Sequence, residues 1–107
     1  MSHKIESNYL GELRVSSTHI ASNTKIITDA PIDNNGKGES FSPTDLVATA
    51  LGTCMITVMG IYAEKNGILM PNVYSRTNKI MTSNPRKISK LKICLLYTSD
   101  AADDLLC

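Results

Sequence analysis

The sequence predicts a small α+β domain, with antiparallel strands before and after one long helix. Three observations carry that expectation. Residues 9–28 hold two runs of alternating and β-branched character on either side of Ala21-Ser22-Asn23. Residues 43–66 form one apolar run with helix start and stop signals. Leu91 and Ile93 alternate with Lys90 and Lys92, the period of a strand with one face covered.

In chain order, residues 1–8 are expected to be a ragged terminus. Tyr9–Val15 reads as a strand, with Leu13 and Val15 on one face and Glu12 and Arg14 on the other. Ser16–Ile20 continues or pairs it. Ala21-Ser22-Asn23 is a tight turn, and Thr24–Thr28 is a second, β-branched strand that completes a hairpin. Pro31 ends that strand, because it cannot donate and pushes the preceding residue towards extended backbone. Ile32–Ser40 is polar and glycine-bearing, a loop. Its glycines could bring backbone close to a ligand, but a mobile tip is the plainer expectation. Beyond the helix, Val73–Lys79, Ile80-Met81 and Ile88–Ile93 read as strands, with Asn84-Pro85-Arg86 as a turn.

The helix is bounded by chemistry. Ser42 suits the N-cap, where its hydroxyl can accept a backbone N–H left unpaired by the first turn. Pro43 follows at the first helical position, where its missing N–H costs nothing. Asp45 completes a weak capping box and faces the positive end of the dipole. Gly67 is available for the left-handed C-cap. No charged residue lies between Asp45 and Glu64. Such a helix is either a membrane span or a core helix. Leu46–Ala63 just reaches the roughly 18-residue lower bound for a span. Thr49, Thr53, Thr57, Gly52, Gly60 and the acidic residues at both ends favour a core helix, as does the lack of a flanking Lys/Arg cluster. The helix is therefore expected to be long, central and buried on nearly every face. The strands cannot cover it alone. A partner subunit or further chain must shield the second face, and the domain reads as incomplete.

With 107 residues, the chain holds at most one small domain. A formal net charge of +1 gives no polyelectrolyte signature, so nucleic acid is not an implied partner. Met1–Glu6 lacks the apolar region of a signal peptide, which makes a cytoplasmic location the expectation. Cys54, Cys94 and Cys107 form no C-x-x-C pair and no zinc spacing, and the two His lie far from them, so no metal is expected. A lone cytosolic thiol is either inert or reactive. Residue chemistry alone leaves Cys54 open between the two, with an inert core thiol the simpler choice.

The runs Thr28-Asp29-Ala30-Pro31, Gly36–Leu46 and Ala50–Met55 together resemble the OsmC/Ohr family of thiol-dependent organic hydroperoxide reductases. Phe41-Ser42-Pro43-Thr44-Asp45-Leu46 through Cys54 is the specific part, and Lys79, Met81 and Pro85-Arg86-Lys87-Ile88 match more loosely. The resemblance implies an α+β fold with two central helices packed on curved sheets, in an intertwined homodimer. It implies that Cys54 is the peroxidatic thiol, attacking an organic hydroperoxide. A second, C-terminal cysteine would then form a disulfide, which a dithiol reductant (lipoylated proteins among them) reopens. It implies no metal or flavin.

Cys54 lies beyond the reach of the helix dipole, and Ala50, Leu51, Thr57 and Val58 beside it supply no charge. A cation must come from elsewhere. The family uses an arginine from its N-terminal part, and Arg14 is the only one before the helix. His19 is a second candidate. The chain departs from the family in two places. Thr44 stands where many members carry a glutamate that pairs with the arginine, so that pair is absent or rebuilt. A non-catalytic relative that binds an apolar small molecule between the helices is the alternative. The second departure is the end of the chain. Residues 1–93 read as a partial OsmC-like domain. Residues 94–107 read as a foreign tail, resembling a translated sequencing-adapter read-through, so neither Cys94 nor Cys107 is expected to be the resolving cysteine. As it stands, the chain is expected to be a fragment with little peroxidase activity.

Overall fold

The computed structural model describes residues 1–70 and 72–97. It is α+β, with antiparallel strands and one helix longer than a single turn among the described residues. Two compact units divide it, residues 1–46 and the described residues from Val47 onward. Each is taken by itself.

In the first unit, β1 (Ile5–Gly11), β2 (Arg14–His19) and β3 (Thr24–Asp29) form an antiparallel sheet in the order β1-β2-β3. The sheet differs from expectation at its start. Residues 5–8 are not ragged: Ile5 pairs with His19 and Asn8 with Ser16. Nor is Tyr9–Val15 one strand, because the chain reverses at Glu12-Leu13 and Gly11 pairs with Arg14. Glu12 and Leu13 both take positive φ, 54° and 62°. That is what a two-residue hairpin turn with native twist demands. The usual Asn-Gly signal is missing, and alternation alone could not show the break. The β2–β3 turn falls where expected, with Asn23 at φ 58° and its N–H on the His19 carbonyl at 2.8 Å.

The loop after β3 is folded onto itself and is no open tip. The Pro31 carbonyl accepts from the N–H groups of Asn34 and Gly36, both at 2.9 Å, around a 3-10 turn at Ile32–Asn34. The Ala30 carbonyl accepts from Gly38 at 3.1 Å. A Cβ at Gly36 would lie 1.7 Å from the Ala30 oxygen, so this glycine serves the loop's own closure.

Helix α1 (Pro43–Lys65) begins and ends as its sequence dictates. Ser42 Oγ accepts from the Asp45 N–H at 3.1 Å, and the Ser42 N–H donates to Asp45 Oδ2 at 3.0 Å, a reciprocal capping box. At the far end Gly67 sits at φ +63°. The Ile68 N–H reaches the Ala63 carbonyl at 2.9 Å and Gly67 reaches Glu64 at 3.4 Å, a Schellman closure.

In the second unit, β4 (Val73–Thr82) and β5 (Lys87–Tyr97) pair antiparallel from Val73↔Tyr97 to Thr82↔Lys87. Val73–Met81 is thus one strand, and β5 runs through residues 94–97, past the expected boundary at residue 93. Residues 98–107 lie outside the described residues. The helix meets β4 through small residues. Ala48, Gly52 and Ala63 are its buried positions, and a Cβ on Gly52 would stand 3.0 Å from Thr77 Oγ1 and 3.1 Å from Ser75 Oγ.

Within one chain the helix is not buried all round. Val47, Leu51, Val58, Ile61 and Tyr62 are exposed. The physical reason is supply: this unit offers a single two-stranded sheet, which covers one stripe of a helix apolar on both sides. The helix also passes a length and composition test for a membrane span, with mean hydropathy 1.8 over 18 residues. A core helix passes the same test.

Candidate functional site

Two clusters hold the residues with chemistry, one in each unit. The first is built on Arg14. The β2–β3 register places Arg14 directly opposite Asp29, so both side chains leave the same face of the sheet. The guanidinium grips the carboxylate with two bonds, Nε to Oδ1 at 2.7 Å and Nη2 to Oδ2 at 2.9 Å. This fork-on-fork geometry is the strong form of the pair. Nη2 also donates to Glu39 Oε1 at 2.8 Å. Asp29 is 1% exposed. Its Oδ2 accepts once more, from the Glu39 backbone N–H at 3.1 Å. The Asp29 N–H meets the Phe41 carbonyl and the Ala30 N–H meets the Leu13 carbonyl, both at 3.1 Å. The cluster therefore ties the β1–β2 turn, β3 and the residues before the helix into one piece.

Protonation follows from the contacts. The hydrogen bond from Arg14 holds the Asp29 carboxyl below its usual range, and burial opposes this only in part. Arg14 is pushed up by the same bond. At the rim, Glu12 is lowered and Lys37 raised by their mutual hydrogen bond.

Sequence reasoning offered Arg14, with His19 second, as the cation, its glutamate partner being absent or rebuilt. The structure instead gives Arg14 two carboxylate partners, neither of which was singled out. Asp29 was legible in principle as part of Thr-Asp-Ala-Pro, but its pairing needed the register, and the register needed the missed turn at Glu12-Leu13. Glu39 carried no pattern at all. The Thr44 hydroxyl lies 3.2 Å from Ser42 Oγ. His19 is engaged in the β2–β3 turn, its Nδ1 2.6 Å from Ser22 Oγ, as a surface residue.

The second cluster surrounds Cys54, a free and exposed thiol midway along α1. At 3.6 residues per turn, Val47, Ala50, Leu51, Thr57, Val58 and Ile61 flank Cys54 on one side of the helix. The buried stripe of Ala48, Gly52 and Ala63 lies on the opposite side. The sulfur thus opens onto an uncharged, apolar and uncovered face. Further along, Val58, Met59, Tyr62, Ala63, Ile68, Leu69 and Met70 line a groove of about 470 Å³. Cys94 is buried on β5, opposite Arg76, and Cys107 lies outside the described residues. Among the described residues no three His, Cys, Asp or Glu side chains gather where they could hold a metal ion.

No family model matches the chain, and no curated protein matches it. Among solved structures, it is similar to the crystal structure of an osmotic stress induced and detoxification response protein from Psychrobacter arcticus 273-4. The two share 43% identity with a TM-score of 0.84, over 92% of this chain and 72% of the other. At that identity and coverage the likeness extends beyond fold, and the chain belongs to the OsmC-like family of stress and detoxification response proteins.

Proposed function

We propose that this chain is an OsmC-like thiol peroxidase that reduces organic hydroperoxides through Cys54, in detoxification under oxidative stress. One observation carries the reading: a free thiol stands at mid-helix on an apolar face, within a chain 43% identical to a protein named for stress and detoxification response. The step balances. The Cys54 thiolate attacks the outer oxygen of ROOH, the O–O bond breaks, and the alkoxide leaves and takes a proton to become ROH. The sulfur is oxidised to a sulfenic acid. A dithiol then returns it to the thiol, with loss of water and formation of the reductant's own disulfide. Arg14 is the proposed cation that favours the thiolate. The apolar surroundings suit a hydrophobic hydroperoxide.

The proposed partner for the outward face of α1 is a second copy of the chain, in a cytoplasmic homodimer. What supports it is the line of exposed Val47, Leu51, Val58 and Ile61 beside a reactive group that needs exclusion from bulk water. Neither nucleic acid nor membrane is proposed as a partner.

Protein extended to the length of its solved relative should consume cumene hydroperoxide with dihydrolipoamide as reductant, and its Cys54→Ser variant should not. Equal rates for the two would reject Cys54. A second reading, a binding protein without turnover, is favoured by the apolar groove between Val58 and Met70. Saturable binding of a fatty acid with no peroxide consumption would select it.

A further inference from the structure

We infer that the outward face of β4–β5 is a docking surface for an acidic polypeptide segment, extended, with carboxylates at every second position. The net charge of +1 conceals an uneven distribution. Residues 47–97 carry seven Lys and Arg against the single acid Glu64, while residues 1–46 carry four against six. The register gathers much of this surplus on one side of the sheet. Gly52 of α1 stands over Ser75 and Thr77, so the helix lies on their face of β4. Alternation turns Arg76 and Asn78 to the other face. Directly paired residues share a face, and Asn78 lies opposite Lys92 and Ile80 opposite Lys90. Strict alternation would send Lys87 back to the helix side. A bulge prevents this: between Ile80↔Lys90 and Met81↔Ile88 the residue Ser89 is extra, so Lys87, opposite Thr82, joins Lys90 and Lys92 outside. These three lysines and Arg76 are exposed. None of the four has an ion pair with a described acidic side chain. Lys90 and Lys92 are neighbours along one strand, and Arg76 lies diagonally across from Lys92, so the free sheet holds a like-charge repulsion that an anion would relieve.

The rest of the face selects among anions. A nucleic-acid platform needs an open ring for stacking. The ring on this face, Tyr74, is covered by the Arg76 guanidinium, 6.0 Å from its centroid. An anionic bilayer is gripped best where apolar side chains insert beside the cations, and Ile80, the apolar residue among them, is only partly exposed. An extended polypeptide needs neither feature. Its alternate side chains repeat about every 6.8 Å, the same period that separates Lys90 from Lys92. Carboxylates at every second position therefore meet the lysines charge for charge.

The probe is a fluorescein-labelled peptide of alternating Glu and Thr, as long as β5, titrated with the full chain and followed by anisotropy. Saturable binding that weakens with added salt is expected. Lys90→Glu/Lys92→Glu should weaken it by at least about tenfold. Lys4→Glu/Lys25→Glu changes the net charge equally at exposed positions of the first unit and should leave the affinity nearly unchanged. Should the reversed pair not fold, Lys90→Gln/Lys92→Gln replaces it, with the same ranking expected. Equal losses at the two sites overturn the inference, since bulk charge then explains the binding, and so does the absence of peptide binding. A peptide of the same composition with its glutamates in one block should bind more weakly; equal affinity refutes the alternating fit. Tighter binding of oligouridylate, or of vesicles of equimolar phosphatidylserine and phosphatidylcholine, through the same lysines would overturn the acidic-polypeptide assignment. No outcome here bears on Cys54, whose role is tested by hydroperoxide turnover.

Discussion

Val58→Lys should abolish self-association. Val47, Leu51, Val58, Ile61 and Tyr62 are between 50% and 65% exposed, except Leu51 at 43%. Fully burying such a side chain is worth about 1.5–3 kcal/mol, so covering the remaining half contributes about 1 kcal/mol each. Ten of them in a symmetric pair give about 10 kcal/mol before the cost of association, itself about 4–15 kcal/mol. The margin is thin, and a single charge should decide it. Lysine at position 58 loses about 1 kcal/mol of burial per copy, and desolvating its ammonium costs several kcal/mol more. Together these exceed about 5 kcal/mol, a weakening of at least three orders of magnitude. Sedimentation velocity across a concentration series reads the result. Ser89→Lys, on an exposed position of β5, serves as the control. If Val58→Lys dimerises like the parent, or the parent is monomeric throughout, the outward helix face is no interface between copies.

Three further outcomes are expected. Ser42→Ala removes the acceptor for the Asp45 N–H and should lower stability by about 1 kcal/mol, read from the urea midpoint. Gly52→Leu must displace Thr77 or Ser75, already 3.0 and 3.1 Å from a first side-chain carbon; a loss of about 1–3 kcal/mol is expected, measured the same way. Acid should act through Asp29, whose carboxyl is lowered in the fold by Arg14. The stability this contributes is present above the unfolded value of about 3.9 and is lost as pH falls through the lower folded value. Urea midpoints measured from neutral to strongly acidic pH should therefore drop less steeply for Asp29→Asn than for the parent.

The parts of this fold governed by local chemistry were readable in the sequence. Ser42, Pro43, Asp45 and Gly67 fixed both ends of α1, because caps satisfy backbone groups within a few residues. The β2–β3 turn was readable for the same reason, through Asn23 at positive φ. The β1–β2 turn was not. It sets Leu13 at φ 62°, a conformation that no residue-type rule assigns to leucine. That one miss concealed β1, the register and the Arg14–Asp29 pair together. What covers the second face of the helix was not readable, for a different reason. Composition states what a surface prefers, while the cover comes from whatever sheet or second copy is at hand. Cys54 was found by resemblance, since its own neighbours advertise no chemistry.

The charge balance around Arg14 sets a further condition on the proposed mechanism. One guanidinium faces two carboxylates, Asp29 and Glu39, so the cluster carries a surplus negative charge before any substrate arrives. A thiolate gains little from a cation already over-neutralised. The two partners are not equivalent. Asp29 is buried and bidentate, while Glu39 is 65% exposed and held to Arg14 by one side-chain bond. Removing the Glu39 charge should therefore release Arg14 for another anion. Glu39→Gln should speed sulfenylation of Cys54 by cumene hydroperoxide. If Glu39→Gln slows the reaction instead, the surplus charge is part of the working state.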